Sequence, residues 1–96
     1  MTLYVIASMD KPGSLALRLG TREAHLAYVK TVTMARFRVG GPFLSSDGTM
    51  IGSMIIVEAD DPAHVAEFVK NDPYVKAGLF ERTEVRPWKV TVGTLG

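Results

Sequence analysis

The chain has no cysteine. Disulfides and thiolate chemistry are therefore excluded, and a reducing cytoplasm is the expected location. It also lacks an excess of charge of either sign: 11 Lys and Arg face 10 Asp and Glu, a net +1. With no basic patch interleaved with aromatics, nucleic acid is not an expected partner. No apolar run approaches the ~20 residues that span a bilayer, so a membrane is not expected either. The start, MTLYVIASM, has no charged n-region and no cleavage site, and does not read as a signal peptide. Histidine is scarce. His25, His64 and Asp72 show no metal-ligand spacing, so no metal is expected. Gly40-Gly41-Pro42 lacks the strand-loop-helix setting of a phosphate cradle, and no cofactor is expected.

What is present is enough apolar chain, 47% of 96 residues, for the core of one domain spanning 1–96, with a loose tail from about residue 90. Leu3 to Ala7 is β-branched and apolar on both faces, as in a buried strand. Asp10 to Ser14 is a loop by composition. Leu15 to Ala35 is helical in pattern, with Gly20 as an expected interruption and Thr21 as the cap of a fresh start. Phe37–Leu44 and Met50–Ala59 are strands joined at Ser45-Ser46-Asp47-Gly48, which predicts a hairpin. Asp61-Pro62 opens a second helix as N-cap and N1, and that helix stops near Asn71. Leu79 to Val92 is the last strand, with Pro87 marking an edge or a bulge.

The order is α+β, strand-helix-strand-strand-helix-strand. It predicts a ferredoxin-like βαββαβ fold: a four-stranded antiparallel sheet with both helices on one face. The third strand adds a further expectation. Ile51, Ile55 and Val57 point one way, and Met50, Met54 and Ile56 the other. The helices cover only one of these apolar faces, so the helix-free face predicts a partner, most simply a second copy.

Several residues bear on chemistry. Asp72-Pro73 repeats the Asp61-Pro62 signal, so Asp72 reads as the cap of a short turn over Tyr74 to Ala77 with Gly78 as its left-handed exit. The same carboxylate can instead partner a histidine. His25 lies on the inward stripe of its helix with Val29, Val32 and the stem of Arg18, and reads as a core histidine or as an acid-base group. His64, in the first turn of the second helix, reads as solvated. Arg22, three residues before His25, shares its face and can meet an anionic substrate group or form a surface ion pair. Gly52-Ser53 reads as a kink, or as floor space for a ligand with the Ser53 hydroxyl as a handle.

Arg22-x-x-His25-Leu26, Gly41-Pro42-Phe43, Gly52-Ser53 with Ile56-Val57-Glu58-Ala59, the block from Asp72-Pro73-Tyr74 to Phe80, and Arg86-Pro87-Trp88 resemble, in that order, the YCII-related proteins. The resemblance implies a dimeric α/β barrel and places the family's His and Asp on His25 and Asp72. It implies a cofactor-independent small-molecule enzyme whose His-Asp pair abstracts a proton or drives an elimination, as a dehydrochlorinase or isomerase does. The substrate would be aromatic or enolisable, with Arg22, Ser53 and Tyr74 bordering the site. The alternative is a non-catalytic, ligand-binding or regulatory homodimer.

Overall fold

In the computed structural model, which describes residues 1–95, the elements follow the order β1 (Thr2–Asp10), α1 (Leu15–Thr31), β2 (Arg36–Leu44), β3 (Met50–Ala59), α2 (Pro62–Asn71), α3 (Pro73–Lys76) and β4 (Phe80–Trp88). The strands form one antiparallel sheet ordered β2-β3-β1-β4. This is the ferredoxin-like arrangement, with the hairpin of β2 and β3 in place. Pro87 falls on the edge strand β4, where a missing N–H costs least. Among the described residues no helix is long and apolar enough to cross a membrane.

The core lies between one sheet face and the two longer helices. Tyr4 and Ile6 of β1 and Ile55 and Val57 of β3 meet Val29 of α1 and Val65 and Phe68 of α2. Alternation along each strand selects these residues for the helix side. The opposite face carries Val5, Ala7, Met54 and Ile56 on its central strands. Charged residues flank them: Arg82, Glu84 and Arg86 along β4, and Glu58 paired with Arg36 and Arg38 at one end.

Three boundaries differ from the sequence expectation, the first being the end of α1 at Thr31 rather than Ala35, where Val32 turns to extended backbone. Helix α1 runs unbroken through Gly20, and Thr21 caps nothing. Gly20 is exposed and a Cβ there would meet nothing within 4 Å. Its cost is only the ~1 kcal/mol helix penalty of glycine, which buried Arg18, His25 and Val29 outweigh from either side. Strand β4 ends at Trp88, because pairing with β1 stops at Leu3, and residues 89–95 form no helix or strand. Gly96, the end of the expected tail, lies outside the described residues.

Helix α1 is tied to α2 by a long-range bond. The Tyr28 hydroxyl donates to the Phe68 carbonyl at 2.7 Å. Phe68 lies in the last turn of α2, where carbonyls have no partner within the helix. Burial, with the Asp72 and Glu67 carboxylates nearby, pushes the Tyr28 phenol from 10.0 up to about 12. Since the folded value is the higher, this stabilisation is complete below pH 10 and is lost as pH rises through about 12. Tyr28→Phe is expected to cost about 1 kcal/mol at neutral pH. The gap to the wild type should close in strong alkali. Urea midpoints across that range check both parts.

Candidate active site

The buried stripe of α1 carries Arg18, His25 and Val29 toward the sheet. Arg18 and His25 stand seven residues apart, about two turns of helix. The chain after α2 supplies what faces them. Asp72 is both the C-cap of α2 and the N-cap of α3, and Pro73 at N1 forbids further α2 pairing. Gly78, at φ 75°, lets the chain turn out of α3 into β4.

Asp72 performs both roles that the sequence left open. Its Oδ1 accepts the Tyr74 backbone N–H at 2.9 Å, as a cap does, and lies 2.9 Å from His25 Nδ1. Both residues are buried, Asp72 at 4% exposure and His25 at 8%. A carboxylate at Nδ1 accepts a hydrogen bond there, so an imidazole with one ring proton carries it on Nδ1 and presents the lone pair of Nε2. Nε2 has no hydrogen bond among the described residues, and no fully buried side-chain nitrogen is left without one. Nε2 therefore reaches open space.

That space is a cavity of about 180 Å³. It is lined by Arg18, Arg22 and His25 of α1 and Tyr74 of α3, and by Phe37 and Pro42 of β2 and Met50 and Ser53 of β3. Tyr74 stacks on the His25 ring, centroids 4.2 Å apart, and the Arg18 guanidinium carbon lies 4.9 Å from the Tyr74 centroid. Burial pushes the Tyr74 phenol up, so it stays protonated and acts as a neutral wall.

Arg18 and Asp10 are the members that sequence reasoning missed. Arg18 Nε and Nη2 donate to the two Asp10 oxygens at 2.7 and 2.9 Å, and Nη2 also donates to Ser53 Oγ at 2.8 Å. Burial alone would lower the Arg18 pKa, but the hydrogen bond and charge of Asp10 outweigh it and raise it. The signal was available: an arginine on an inward stripe requires a buried countercharge.

The structure brings His25, Asp72, Arg22, Ser53 and Tyr74 to one region, while His64 is exposed on α2. Gly52 does not supply floor space. A Cβ there would lie 2.4 Å from the Ser8 carbonyl oxygen, so β1 already occupies that room. Gly40 keeps the cavity wall close-packed, since a Cβ would come within 3.1 Å of the Phe37 ring. Among the described residues no three His, Cys, Asp or Glu side chains converge on a metal position.

Comparison with known proteins places the chain in a family. Protein YciI of Escherichia coli is 35% identical over 94 residues, covering 91% of this chain and 96% of its own. A fungal relative from Emericella nidulans, named derivative of benzaldehyde biosynthesis cluster protein C, is 36% identical over 78% of this chain and 85% of its own. The solved structure of 5-chloro-2-hydroxyhydroquinone dehydrochlorinase from Burkholderia phenoliruptrix, in complex with 2,5-dihydroxybenzoquinone, is 43% identical. It superposes with a TM-score of 0.80 over 91% of this chain and 93% of its own. The YCII-related domain profile matches residues 2–89, and the chain belongs to the YCII-related family.

Proposed function

We propose that the chain is a cofactor-independent enzyme that removes a proton from a small aromatic or enolisable molecule, with His25 as the base and Asp72 as its orienting partner. The observation that carries this reading is the 2.9 Å contact between His25 Nδ1 and Asp72 beside an open cavity. Fixing the proton on Nδ1 leaves Nε2 free to accept one. At about 180 Å³, the cavity compares with an engineered ~150 Å³ cavity that takes benzene, so it suits one ring with few substituents. Likeness to a dehydrochlorinase supports elimination as the outcome. Nε2 would take the substrate proton. On the keto form of a chlorinated hydroquinone, where the chlorine-bearing carbon also carries a hydrogen, the pair left on the hydroxyl oxygen would close a carbonyl, the adjacent ring double bond would shift to that carbon, and chloride would leave with its bonding pair. The His25 proton then passes to water, and no net oxidation occurs.

Chloride release from 5-chloro-2-hydroxyhydroquinone tests the reading. Release above the uncatalysed rate supports it. A protein that binds ring compounds and converts none would be a ligand-binding module instead.

The reading includes a homodimer through the helix-free face, forming the α/β barrel. The chain exposes 6029 Å², against about 5,400 Å² for a typical monomer of this size. Met54, 38% exposed, projects from the apolar middle of that face. Ile56 is only 4% exposed within a single chain, so a charge there would test the fold as much as the dimer. Met54→Asp is the cleaner probe and is expected to give a folded monomer, read by light scattering. A wild type that is monomeric at micromolar concentration would end the dimer proposal.

A further inference from the structure

Three hydroxyls stand in one row across the sheet. Ser8 of β1 lies opposite Ser53 of β3 and opposite Thr83 of β4. Ile6, two residues before Ser8, belongs to the core on the helix side, so the row faces the helices as well. Ser8 is 2% exposed and Ser53 6%. Facing these two serines is Asp72, at the end of α2. Between them lies a second, smaller cavity of about 10 Å³, whose other walls include Ile6, Ile55 and Phe68. Buried hydroxyls and carboxylates among such apolar neighbours need hydrogen-bond partners.

The unused bonding capacity of the three polar residues converges there. Asp72 Oδ1 takes both the His25 and the Tyr74 contacts, while Oδ2 makes no hydrogen bond among the described residues. No fully buried side-chain oxygen lacks a partner there, so Oδ2 must touch open space, and the space that Asp72 lines is the small cavity. Ser53 Oγ accepts a hydrogen from Arg18 Nη2 at 2.8 Å, which leaves the hydroxyl hydrogen of Ser53 still to be placed. Ser8 Oγ is bonded to Thr83 Oγ1 at 2.9 Å. A hydroxyl has one donor and two acceptor sites, so Ser8 keeps capacity for a second bond whichever of the two donates.

We infer that the small cavity binds one water molecule, which donates to Asp72 Oδ2, accepts from Ser53 and forms a third bond with Ser8. A buried water needs a space of roughly 10–15 Å³ and typically makes about three hydrogen bonds. The cavity offers about 10 Å³ and three polar side chains, enough for one water and no second. The water ties Asp72 to Ser53, and so to the Arg18–Asp10 pair behind it. With Oδ1 on His25 and Oδ2 on the water, both carboxylate oxygens are held, and the carboxylate cannot turn away from the imidazole. Ser8 is then a positioning residue for the pair. It does not line the larger cavity, so it reaches a ring bound there only through Asp72. That role in positioning rests on the acid-base reading, and the water itself does not.

A crystal structure of the full chain, at a resolution that shows ordered water, tests the site directly. A water is expected within ~2.5–3.0 Å of Asp72 Oδ2, Ser53 Oγ and Ser8 Oγ. An intact cavity without that peak would overturn the inference, as would a serine hydroxyl bonded straight to Oδ2. Two variants carry the test into solution. Ser8→Ala and Thr83→Ala both remove the Ser8–Thr83 bond, but only Ser8→Ala takes a partner from the water. The proton NMR signal of His25 Nδ1–H is expected to shift in Ser8→Ala and to stay in place in Thr83→Ala. Equal shifts in both variants, or a shift in neither, would remove Ser8 from the positioning of the pair. Should Ser8→Ala fail to fold, the wild-type structure and that of Thr83→Ala, which should keep the water, decide. Chloride release should show a kcat several-fold lower in Ser8→Ala with KM unchanged. Turnover by a wild type without the water would sink this inference alone. The water in place with no turnover on any ring would sink only the acid-base reading.

Discussion

Replacing His25 by glutamine is expected to lower kcat for the proposed dehydrochlorination by about 10²- to 10⁴-fold, the usual contribution of a positioned acid-base group. That corresponds to roughly 3–5 kcal/mol of transition-state stabilisation. Glutamine suits the test because it keeps a polar amide of similar bulk in the buried position. It cannot accept a proton at the Nε2 position. Because Asp72 also caps α3 through the Tyr74 N–H, a variant at Asp72 would mix chemistry with local folding. His25→Gln separates the two. KM should change little, since ring binding depends on the cavity walls and the arginines, and kcat and kcat/KM should fall together. Activity within threefold of the wild type would remove His25 from the chemistry. The site would then be a binding pocket.

The pair was only half legible in the residues themselves. Asp72-Pro73 repeats Asp61-Pro62, and both are helix caps in the structure, with Asp61 accepting the Ala63 N–H and Asp72 the Tyr74 N–H. A local signal cannot say which of two identical caps also faces a histidine, because that depends on packing between residues 47 positions apart. The resemblance to a family singled out Asp72. The element order was legible because its signals are local: the β-branched apolar run of β3, the turn at Ser45–Gly48, and a proline at the first position of α2. The break expected at Gly20 failed for the converse reason. Glycine weakens a helix by a fixed small amount, while the burial of Arg18, His25 and Val29 that holds α1 together is a property of the folded molecule. Arg18 and Asp10 stayed hidden because Asp10 sits at the head of a Lys-Pro-Gly loop and reads there as punctuation.

Asp10→Ala is expected to destabilise the fold by about 3–5 kcal/mol, the cost of leaving one member of a buried ion pair alone. That is a large share of the roughly 5–15 kcal/mol that holds a typical domain together. Side-chain exposure is 3% for Arg18 and 6% for Asp10, and the contact is bidentate. With Asp10 gone, the guanidinium keeps the Ser53 hydroxyl and Tyr74, through its ring and its hydroxyl, as partners. Neither carries a compensating charge. Asp10 also sits where the β1–β4 register shifts, next to the Lys11 N–H bond to the Leu79 carbonyl, so strain there reaches the start of β4. Urea midpoints measure the loss, and an unchanged slope would show that the unfolded state is not responsible. The paired substitution Asp10→Leu with Arg18→Met gives the contrasting result. Replacing a buried ion pair by apolar side chains of similar size is often neutral or stabilising, so most of the lost stability should return. A single variant within ~1 kcal/mol of the wild type would mean that Arg18 is solvated well enough to need no partner. A double variant no more stable than Asp10→Ala would show that the unpaired buried charge was not the cause of the loss.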